Sequence, residues 1–484
     1  MLFNSFEFFI FLPVVFCLYW FVFKKSIKSQ NVLLLVASYV FYGWWDYRFL
    51  SLILFSTFVD YFIGLALGKT AETSKRKWLL TISLFVNLGL LGVFKYYNFF
   101  VESWIDVWAS AGIEMHASTM KIILPVGISF YTFQTLSYSI DVYRKKLEPT
   151  KNFIAFAAFV SFFPQLVAGP IERATNLLSQ FYKARKFEYK YAVIGMRLIL
   201  FGLFKKMVIA DNFAPFVDDI FTNHASYSGV ILIMGAVLFA VQIYTDFSGY
   251  SDIAIGTAKL FGFNLMINFK QPYFSRNIGE FWRRWHISLS TWFRDYLYIP
   301  LGGSRGNRMM QLRNVMIIFL VSGFWHGANW TFIIWGAFHA LLFIPLLFFN
   351  QNRKYTDTIA EGRWLPSLRE FVAMGITFAL TTFAWIFFRA ESVTQAFAYI
   401  KTMIVNSTMM SFSTKMTYLT DIKPLLVILG LFIALEWFGR DRIDFVNPFL
   451  KKYGVVRYTV YFLMVFLIII SFKNDNTSFI YFQF

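Results

Sequence analysis

The sequence has almost no cysteine: Cys17 is the single one among 484 residues. A disulfide bond within the chain and a cysteine-based metal centre are therefore excluded. The histidine, aspartate and glutamate residues do not cluster at metal-ligand spacing either, so we expect no bound metal. Cys17 has no polar neighbour to activate its thiol, and we interpret it as a small side chain that faces lipid or another helix.

Charge is scarce as well. Charged residues make up 15% of the chain, whereas hydrophobic residues make up 58% and aromatic residues 21%. A soluble protein has about a quarter charged residues, so this composition predicts a multi-pass membrane protein. The formal net charge of +18 does not indicate a nucleic-acid partner, because the lysines and arginines recur in short loops between apolar runs.

The N-terminus lacks the cationic segment and the cleavage site of a signal peptide, so we interpret the first apolar run as a retained span. Lys24, Lys25 and Lys28 follow this run, whereas the next turn, 43–48, is nearly free of cations. Because cytoplasmic loops carry an excess of lysine and arginine, we expect the N-terminus outside the cell and these basic loops in the cytoplasm.

Apolar runs long enough to cross the membrane appear repeatedly, and they predict about eleven spans plus re-entrant pieces. Pro164, Gly169 and Pro170 make 153–171 a candidate re-entrant hairpin. No clear repeat relates the two halves, which argues against a two-repeat transporter. The candidate runs are 6–23, 31–45, 49–67, 78–94, 122–140, 153–171, 191–210, 229–244, 315–325, 330–349, 371–388, 425–438 and 460–470.

Segment 270–313 differs from the rest because it is polar, aromatic and cationic at once. We expect amphipathic helices there, at the cytoplasmic surface of the membrane. Such a segment could form a cationic wall that receives an anion. Its characteristic residues are Trp282, Trp285, Trp292, Arg276, Arg283, Arg284, Arg294, Arg305, Arg308 and Arg313.

His326 lies within the apolar stretch 315–349. An ionisable ring at membrane depth is costly and is by default a functional-site hypothesis. Gly323 and Gly327 permit either close helix approach or a break in the helix. If the helix continues, Ser322 and Asn329 share the face of His326 and can orient its imidazole. A neutral imidazole suits a general base; the alternative is a histidine that only packs helices.

The other four histidines have weaker contexts. His286 lies in the cationic segment, and His339 is expected to be packed or at headgroup level, because 13 residues of ideal helix would turn it away from His326. His116 and His224 lie in polar loops, where we expect no role. A nucleophile–base dyad of Ser322 and His326 is disfavoured, because no Gly-x-Ser-x-Gly turn surrounds the serine.

Two carboxylates, Asp246 and Asp252, adjoin an apolar run. Intramembrane carboxylates normally face a cavity or a partner. They could line a substrate path, but we favour a structural role in which they pair with arginines of the segment that follows.

Several stretches carry a family resemblance. They are Phe324-Trp325-His326-Gly327, Glu280-Phe-Trp-Arg-Arg-Trp-His286, Tyr298-Ile-Pro-Leu-Gly-Gly303, Pro125-Val-Gly-Ile-Ser-Phe-Tyr131-Thr-Phe-Gln134, Asp246-Phe-Ser-Gly-Tyr-Ser-Asp252 and the opening Met1-Leu-Phe-Asn-Ser-Phe-Glu7. Together they resemble the membrane-bound O-acyltransferase (MBOAT) family, and within it the bacterial branch that contains the membrane subunit of alginate O-acetylation. The resemblance covers nearly the whole chain.

The resemblance implies an all-α fold, with one integral-membrane domain over 1–484 in which spanning and re-entrant helices surround a central funnel. It implies transfer of an acetyl group from cytoplasmic acetyl-CoA to a hydroxyl at the outer face, for O-acetylation of an exported polysaccharide. Acetyl-CoA is then a donor substrate, with no permanently bound cofactor. The implied partners are the lipids of a bacterial plasma membrane and an SGNH-type acetyltransferase that modifies the polysaccharide.

By the family motif, His326 carries over as the catalytic histidine and His286 as the second implicated position, where many eukaryotic members carry Asn or Asp. His326 would deprotonate the acceptor hydroxyl, which is worth roughly 10²–10⁴-fold in rate. His286 or a neighbouring amide could stabilise the oxyanion. Candidates for the donor's phosphates are Arg283, Arg284, Arg294 and Arg305, each with lipid-headgroup contact as its alternative.

Three alternatives stay open at this point. Within the family, the donor could be a carrier-protein thioester that supplies D-alanine to teichoic acid. In another class, Asp246, Asp252 and the histidines would form the proton relay of a transporter or channel. A non-catalytic scaffold for glycan export is the third alternative.

Overall fold

The computed structural model describes residues 1–484 except 116, 118, 121, 407–411, 441, 443, 447, 473–478 and 481–484. The described residues form helices and loops, with no strand among them. The α-helices are α1 Phe6–Cys17, α2 Ile27–Asp46, α3 Leu50–Lys69, α4 Thr73–Leu91, α5 Tyr97–Ser110, α6 Ile128–Tyr143, α7 Phe153–Val160, α8 Tyr189–Leu203, α9 Asp211–Thr222, α10 Gly229–Leu260, α11 Ile278–Arg284, α12 Ile287–Phe293, α13 Arg308–His326, α14 Trp330–Phe348, α15 Leu368–Arg389, α16 Val393–Val405, α17 Phe412–Phe438, α18 Pro448–Lys452 and α19 Gly454–Ile470.

Five helical stretches among the described residues are long and apolar enough to cross a membrane: 27–69, 73–110, 229–260, 330–348 and 368–389. The stretch 27–69 contains both α2 and α3, which a short 3₁₀ turn joins. Asp46 caps this turn by accepting a hydrogen bond from the amide of Arg48. Shorter apolar helices cover 6–22, 393–405 and 454–470. The all-α, multi-pass membrane architecture is confirmed, and the number of about eleven spans stays a prediction.

The chain forms two compact units. The first consists of residues 1–195 and 254–266, and the second of 196–253 and 267–484. Helices α8 and α10 each contribute residues to both units. The single domain over 1–484 stays a prediction.

A buried polar network holds α3, α4 and α6 together in the first unit. The carboxylate of Asp60 accepts hydrogen bonds from Ser83, Asn87 and Ser139, which lie on the two neighbouring helices. All four side chains are buried. Because no water reaches these groups, each must find its partner within the protein, which fixes how the three helices align.

Segment 153–171 also lies in the first unit, and only its first eight residues, Phe153–Val160, are helical. Eight residues of helix rise about 12 Å, less than half of the hydrocarbon thickness. The remainder, 161–171, is buried without regular structure, so its backbone needs internal partners. The amide of Phe163, for instance, donates to the hydroxyl of Ser38 at 3.0 Å. The re-entrant path of this segment stays a prediction.

The second unit contains the cationic segment. Its helices α11 and α12 are only seven residues each. Asn277 caps the start of α11 by accepting from the amide of Glu280. The buried guanidinium of Arg276 then pairs with Glu280 at 3.0 Å and with Asp357 at 3.0 Å. These ion pairs hold α11 against the loop that precedes α15.

Helices α13 and α14 pack along each other in the second unit. A Cβ atom on Gly323 would overlap the carbonyl oxygen of Phe332, and one on Gly336 would overlap the carbonyl oxygen of Phe319. The two backbones can therefore approach this closely only because both residues are glycine.

The expected partners of the two carboxylates were wrong. Asp246 pairs with Lys206 at 2.9 Å, and Asp252 pairs with Lys205 at 3.1 Å, rather than with arginines of the cationic segment. Lys205 also pairs with Glu436 at 3.1 Å. Both lysines are buried in a π-helical turn, Phe204–Ala210, that continues α8. The structural role of the two carboxylates stays a prediction, and two lysines inside a predicted apolar run were the signal for these ion pairs.

Candidate active site

His326 is the last residue of α13. Gly327 follows in extended conformation, with φ −159° and ψ 150°, and ends the helix. Asn329 therefore does not share a helical face with His326, as it would if the helix continued. It caps α14 instead, accepting from the amide of Thr331 at 3.0 Å and donating to the carbonyl of Glu391 at 2.8 Å.

His286 occupies the junction between α11 and α12. Its backbone is left-handed, with φ 43° and ψ 54°, and its side chain is fully buried. A residue with a Cβ atom in this conformation costs roughly 1–2 kcal/mol. Strain of this kind concentrates at functional sites, because the surrounding structure must hold the residue in place.

The side-chain amide of Asn268 determines which ring nitrogen of His286 carries a proton. The backbone N–H of Ser288 can only donate, so the atom that faces it at 3.4 Å is the Oδ1 of Asn268. The same Oδ1 lies 3.0 Å from Nδ1 of His286, which must therefore carry the proton. Burial lowers the pKa of His286 to about 3, which favours the neutral ring. Nε2 is left with a lone pair.

His286 and His326 lie together in an aromatic enclosure. Their ring centroids are 6.2 Å apart. Trp325 contacts both imidazoles, at centroid distances of 5.9 Å from His286 and 5.0 Å from His326. Trp335 and Phe388 cover His326 at 5.1 Å and 5.4 Å. The structure thus brings the two predicted catalytic histidines into one buried site.

His339 lies on α14 rather than on the helix of His326, so the premise of one continuous helix was wrong. It is buried and accepts a hydrogen bond from the indole N–H of Trp282 at 3.3 Å. Trp335 lies between the two rings, 5.0 Å from His339 and 5.1 Å from His326. His339 is therefore packed, as expected.

A cavity of about 220 Å³ lies beside this enclosure. Its apolar lining includes Phe319 and Phe343, and its polar lining includes Ser322, Arg294 and Arg353. Ser322 is one helical turn before His326, so the two side chains project from the same face of α13. The cavity thus combines an apolar interior with two guanidinium groups, and through Ser322 it adjoins the helix that ends at His326.

The four predicted arginines do not act alike. Arg294 lines the cavity, although its side chain also pairs with Asp295 at 2.7 Å. Arg283 donates to the carbonyl of Asn352 at 2.6 Å, which anchors the loop after α14. Arg284 pairs with Glu280 at 2.9 Å. Arg305 lies in an exposed loop and is not among the residues that line the cavity.

Two residues of this site were missed by sequence reasoning. Asn268 stands 18 residues before His286, and Arg353 belongs to the loop after α14, outside the cationic segment. Asn268 precedes the cationic segment 270–313 by only two positions, and Arg353 adjoins Lys354 after the apolar run 330–349. Their polarity was thus visible in the sequence, but their role was not. Among the described residues, no group of three histidine, cysteine, aspartate or glutamate side chains could hold a metal ion.

The chain is similar to several known proteins over more than half of its length. Residues 147–363 match the sequence model of the membrane-bound O-acyltransferase family. The chain is 44% identical to the probable alginate O-acetylase AlgI of Azotobacter vinelandii, over 81% of this chain and 76% of the relative. It is 38% identical to the peptidoglycan O-acetyltransferase of Helicobacter pylori, over 84% and 80%. It is 30% identical to the teichoic acid D-alanyltransferase of Bacillus subtilis, over 57% and 72%.

Proposed function

The chain belongs to the membrane-bound O-acyltransferase family, and we propose that it transfers an acetyl group from cytoplasmic acetyl-CoA to a hydroxyl at the outer face of a bacterial plasma membrane. The observation that carries this proposal is the buried pair His286 and His326, with ring centroids 6.2 Å apart. Two imidazoles held at this distance beside a cavity supply both proton transfer and orientation for an acyl transfer.

In this proposal His326 is the general base. It removes the proton of the acceptor hydroxyl as the oxygen attacks the thioester carbonyl, and the thiolate of CoA leaves. Trp335 and Phe388 keep bulk water from the imidazole, so hydrolysis of the donor competes less with transfer. Ser322, on the same face of α13, supports the site by offering a hydroxyl to the bound thioester.

His286 has the second role. Its Nδ1–H is bound to Asn268, so its Nε2 is the atom available to the site. A neutral Nε2 is a hydrogen-bond acceptor, so it cannot stabilise an oxyanion by donation; it can orient the acceptor by binding a hydroxyl other than the one whose proton His326 removes. We therefore assign His286 to substrate orientation and leave oxyanion stabilisation to other donors.

The cavity is the proposed place of one part of the donor, because its volume of about 220 Å³ is too small for the whole of acetyl-CoA. Arg294 and Arg353 line it and would meet the phosphates of acetyl-CoA, for which guanidinium groups are well suited. Arg283 fixes the loop that carries Arg353, and Arg284 holds α11 through Glu280. Asn329 caps α14 and so supports the helix opposite His326. Arg305, in its exposed loop, would make an outer phosphate contact.

The proposed acceptor pathway ends on a polysaccharide. Two relatives, at 44% and 38% identity over most of the chain, have names that specify O-acetylation of alginate and of peptidoglycan. We propose the same reaction type for this chain, with an SGNH-type acetyltransferase as the partner that acetylates the exported glycan. D-Alanyl transfer is the second candidate, and the relative that carries it is 30% identical over 57% of the chain.

The test is a transfer assay on the full-length protein in proteoliposomes with [¹⁴C]acetyl-CoA supplied on one side. H326A is expected to lose at least 10²-fold in acetyl transfer, the lower end of general-base catalysis being about that factor. H224A, which removes a histidine from the loop after α9, serves as the matched control and should retain wild-type rates. Full activity of H326A would remove His326 from the mechanism.

A competition between donors distinguishes the two candidates. Acetyl-CoA and a D-alanyl carrier-protein thioester are offered together, and the label that reaches the acceptor is identified. Preference for the acetyl donor supports the proposal, whereas preference for the D-alanyl thioester replaces acetyl transfer by the second candidate.

A further inference from the structure

A second cleft, in the first unit, belongs to none of the machinery described above. Its volume is about 510 Å³, within the usual range of ligand sites. It is lined by the loop after α7, the start of α8 and the turn that follows α10. We call it the basic cleft and define it by Lys183, Arg185, Lys186, Glu188 and Lys259.

The floor of the basic cleft is rigidly built. Gln180 and Asn264 exchange two hydrogen bonds, each of 2.9 Å, which join the two chain segments on either side. The guanidinium of Arg185 donates to Asn31 at 2.7 Å and lies over the ring of Phe263, 4.9 Å from its centroid. A preformed floor lowers the entropy that a ligand loses on binding.

The charge of the basic cleft is strongly positive. Four cationic side chains and one carboxylate line it, so four minus one gives a net charge of three positive units. Lys183 and Lys186 are exposed, whereas Arg185 and Lys259 are half-buried. The half-buried pair provides a fixed field, and the two exposed lysines can close on an anion from the solvent side.

Aromatic side chains near the basic cleft are of the kind found at the edge of a membrane. The indole N–H of Trp20 donates to the carbonyl of Leu260 at 2.9 Å, next to the turn that lines the cleft. Phe187 precedes α8 and Tyr189 is its first residue; the two side chains are 49% and 77% exposed. Large exposed aromatic residues are typical of the membrane–water interface, where lipid phosphates also lie.

We propose that the basic cleft binds the phosphate of an anionic phospholipid, of the phosphatidylglycerol type. The same chemistry would accept a soluble nucleotide phosphate, but the exposed rings of Phe187 and Tyr189, which flank the lining residue Glu188 in sequence, favour a ligand that is itself anchored in the membrane. Basic loops of this kind lie on the cytoplasmic side, where anionic lipids attract lysine and arginine. The site is separate from the proposed acyl transfer and does not depend on it.

The experiment uses the full-length protein in nanodiscs, with spin-labelled phosphatidylglycerol and spin-labelled phosphatidylcholine as probes. The wild type should bind phosphatidylglycerol in preference. K183Q/K186Q should reduce that preference to the level of phosphatidylcholine, because each lysine near an anionic headgroup is worth about a fivefold change. K145Q/K146Q is the matched control; it removes the same charge from another exposed loop of the first unit and should leave the preference intact.

Two further arms complete the test. E188Q removes the single carboxylate of the cleft and should strengthen the preference, a gain that a misfolded variant cannot imitate. Titration of 3′,5′-ADP into nanodiscs of phosphatidylcholine probes the soluble source; binding that is lost in K183Q/K186Q, without a lipid preference, would overturn the lipid as ligand. The site itself would be overturned if the wild type neither preferred phosphatidylglycerol nor bound 3′,5′-ADP. It would also be overturned if K145Q/K146Q lost the lipid preference as fully as K183Q/K186Q.

Discussion

At the scale of single residues, His286 combines two unfavourable conditions. It adopts a left-handed backbone and buries an ionisable ring completely. A packing residue would avoid both, since glycine tolerates the backbone and an apolar side chain tolerates the burial. The hydrogen bond to Asn268 shows what the arrangement achieves: it selects one tautomer and holds the ring in one orientation.

The first prediction concerns this hydrogen bond. N268A should lower acetyl transfer by about 10- to 100-fold, by analogy with the loss seen when a partner that orients a metal-bound histidine is removed. The reason is that His286 can then rotate or exchange tautomers. N268D restores an acceptor for Nδ1–H and should recover part of the rate, with a changed pH profile because a carboxylate stabilises the imidazolium.

S251A is the control for Asn268, because Ser251 contacts only its amide nitrogen, at 3.2 Å. A purely structural role of Asn268 would lower N268A and N268D alike and leave the pH profile unchanged. That result would contradict the orienting role.

The second prediction concerns Glu172, which is buried and accepts hydrogen bonds from the amide of Met266 and from Asn176. Burial raises the pKa of Glu172 to about 7, from an ordinary 4.5. The folded chain thus holds the carboxyl proton of Glu172 more tightly than the unfolded chain. The free energy of unfolding therefore falls as the pH rises from 4.5 to about 7. E172Q removes this loss, which is at most about 3 kcal/mol.

Thermal unfolding in detergent measures the effect. E172Q should melt a few degrees above the wild type at pH 8, and the two should converge towards pH 4.5. E148Q alters an exposed glutamate of the same unit and should follow the wild type at both pH values. A variant that is less stable than the wild type at pH 8 would refute the charge-burial account.

The site residues show what a sequence can reveal at this scale. Sequence motifs were enough to identify His286 and His326, because the residues next to each histidine are distinctive. Asn268 and Arg353 acquire their roles only when distant segments meet, and nothing in their own surroundings specifies the partner. Arg283 and Arg284 were expected to contact the donor. The sequence does not show that a carbonyl binds the guanidinium of Arg283 or that a carboxylate binds that of Arg284.

At the scale of secondary-structure elements, the pairing of α13 with α14 positions His326. Gly323 and Gly327 were expected to allow either close approach or a break in the helix, and the structure has one of each. Gly323 permits the contact with α14, and Gly327 ends α13. The sequence could not decide between them, because the choice depends on where the neighbouring backbone lies.

The third prediction tests this pairing. G323A and G336A should each destabilise the protein by about 1–3 kcal/mol, the usual cost of overpacking, because the added methyl group overlaps a carbonyl oxygen of the facing helix. Acetyl transfer should fall as well, since His326 is displaced. The measurements are the melting temperature in detergent and the rate of transfer.

G375A provides the control, because Gly375 lies within α15 and a Cβ atom there meets nothing within 4 Å. Alanine has the higher helix propensity, so G375A should be as stable as the wild type or slightly more so. Equal melting temperatures for G323A and G375A would show that α13 and α14 do not need this close contact.

At the scale of the whole molecule, composition alone was enough to predict a multi-pass membrane protein, because high apolar content and sparse charge suit a chain that is surrounded by lipid. The division into two compact units was not predicted. It depends on long-range packing of helices such as α10, whose residues serve both units, and periodicity along the chain carries no such information.

The fourth prediction concerns orientation in the membrane. C17A should yield a cysteine-free chain, to which single cysteines can be added. Y47C, at an exposed position between α2 and α3, should react with a membrane-impermeant maleimide in intact cells. K75C, on the basic side that positive charge assigns to the cytoplasm, should react only after the membrane is opened.

The labelling ratio of the two cysteines before and after permeabilisation is the measurement. C17A without an added cysteine reports the background. The reverse pattern, with K75C labelled in intact cells, would place the N-terminus in the cytoplasm and invert the assignment.

The end of α13 at His326 has an electrostatic consequence. The last carbonyl groups of a helix carry the equivalent of roughly half a negative charge, which favours a cation within the final turn. In its proposed role, His326 becomes an imidazolium when it takes the proton of the acceptor hydroxyl. The peptide dipoles of α13 are already aligned to receive that charge, so the helix that carries the base also stabilises the state that the base enters during the reaction.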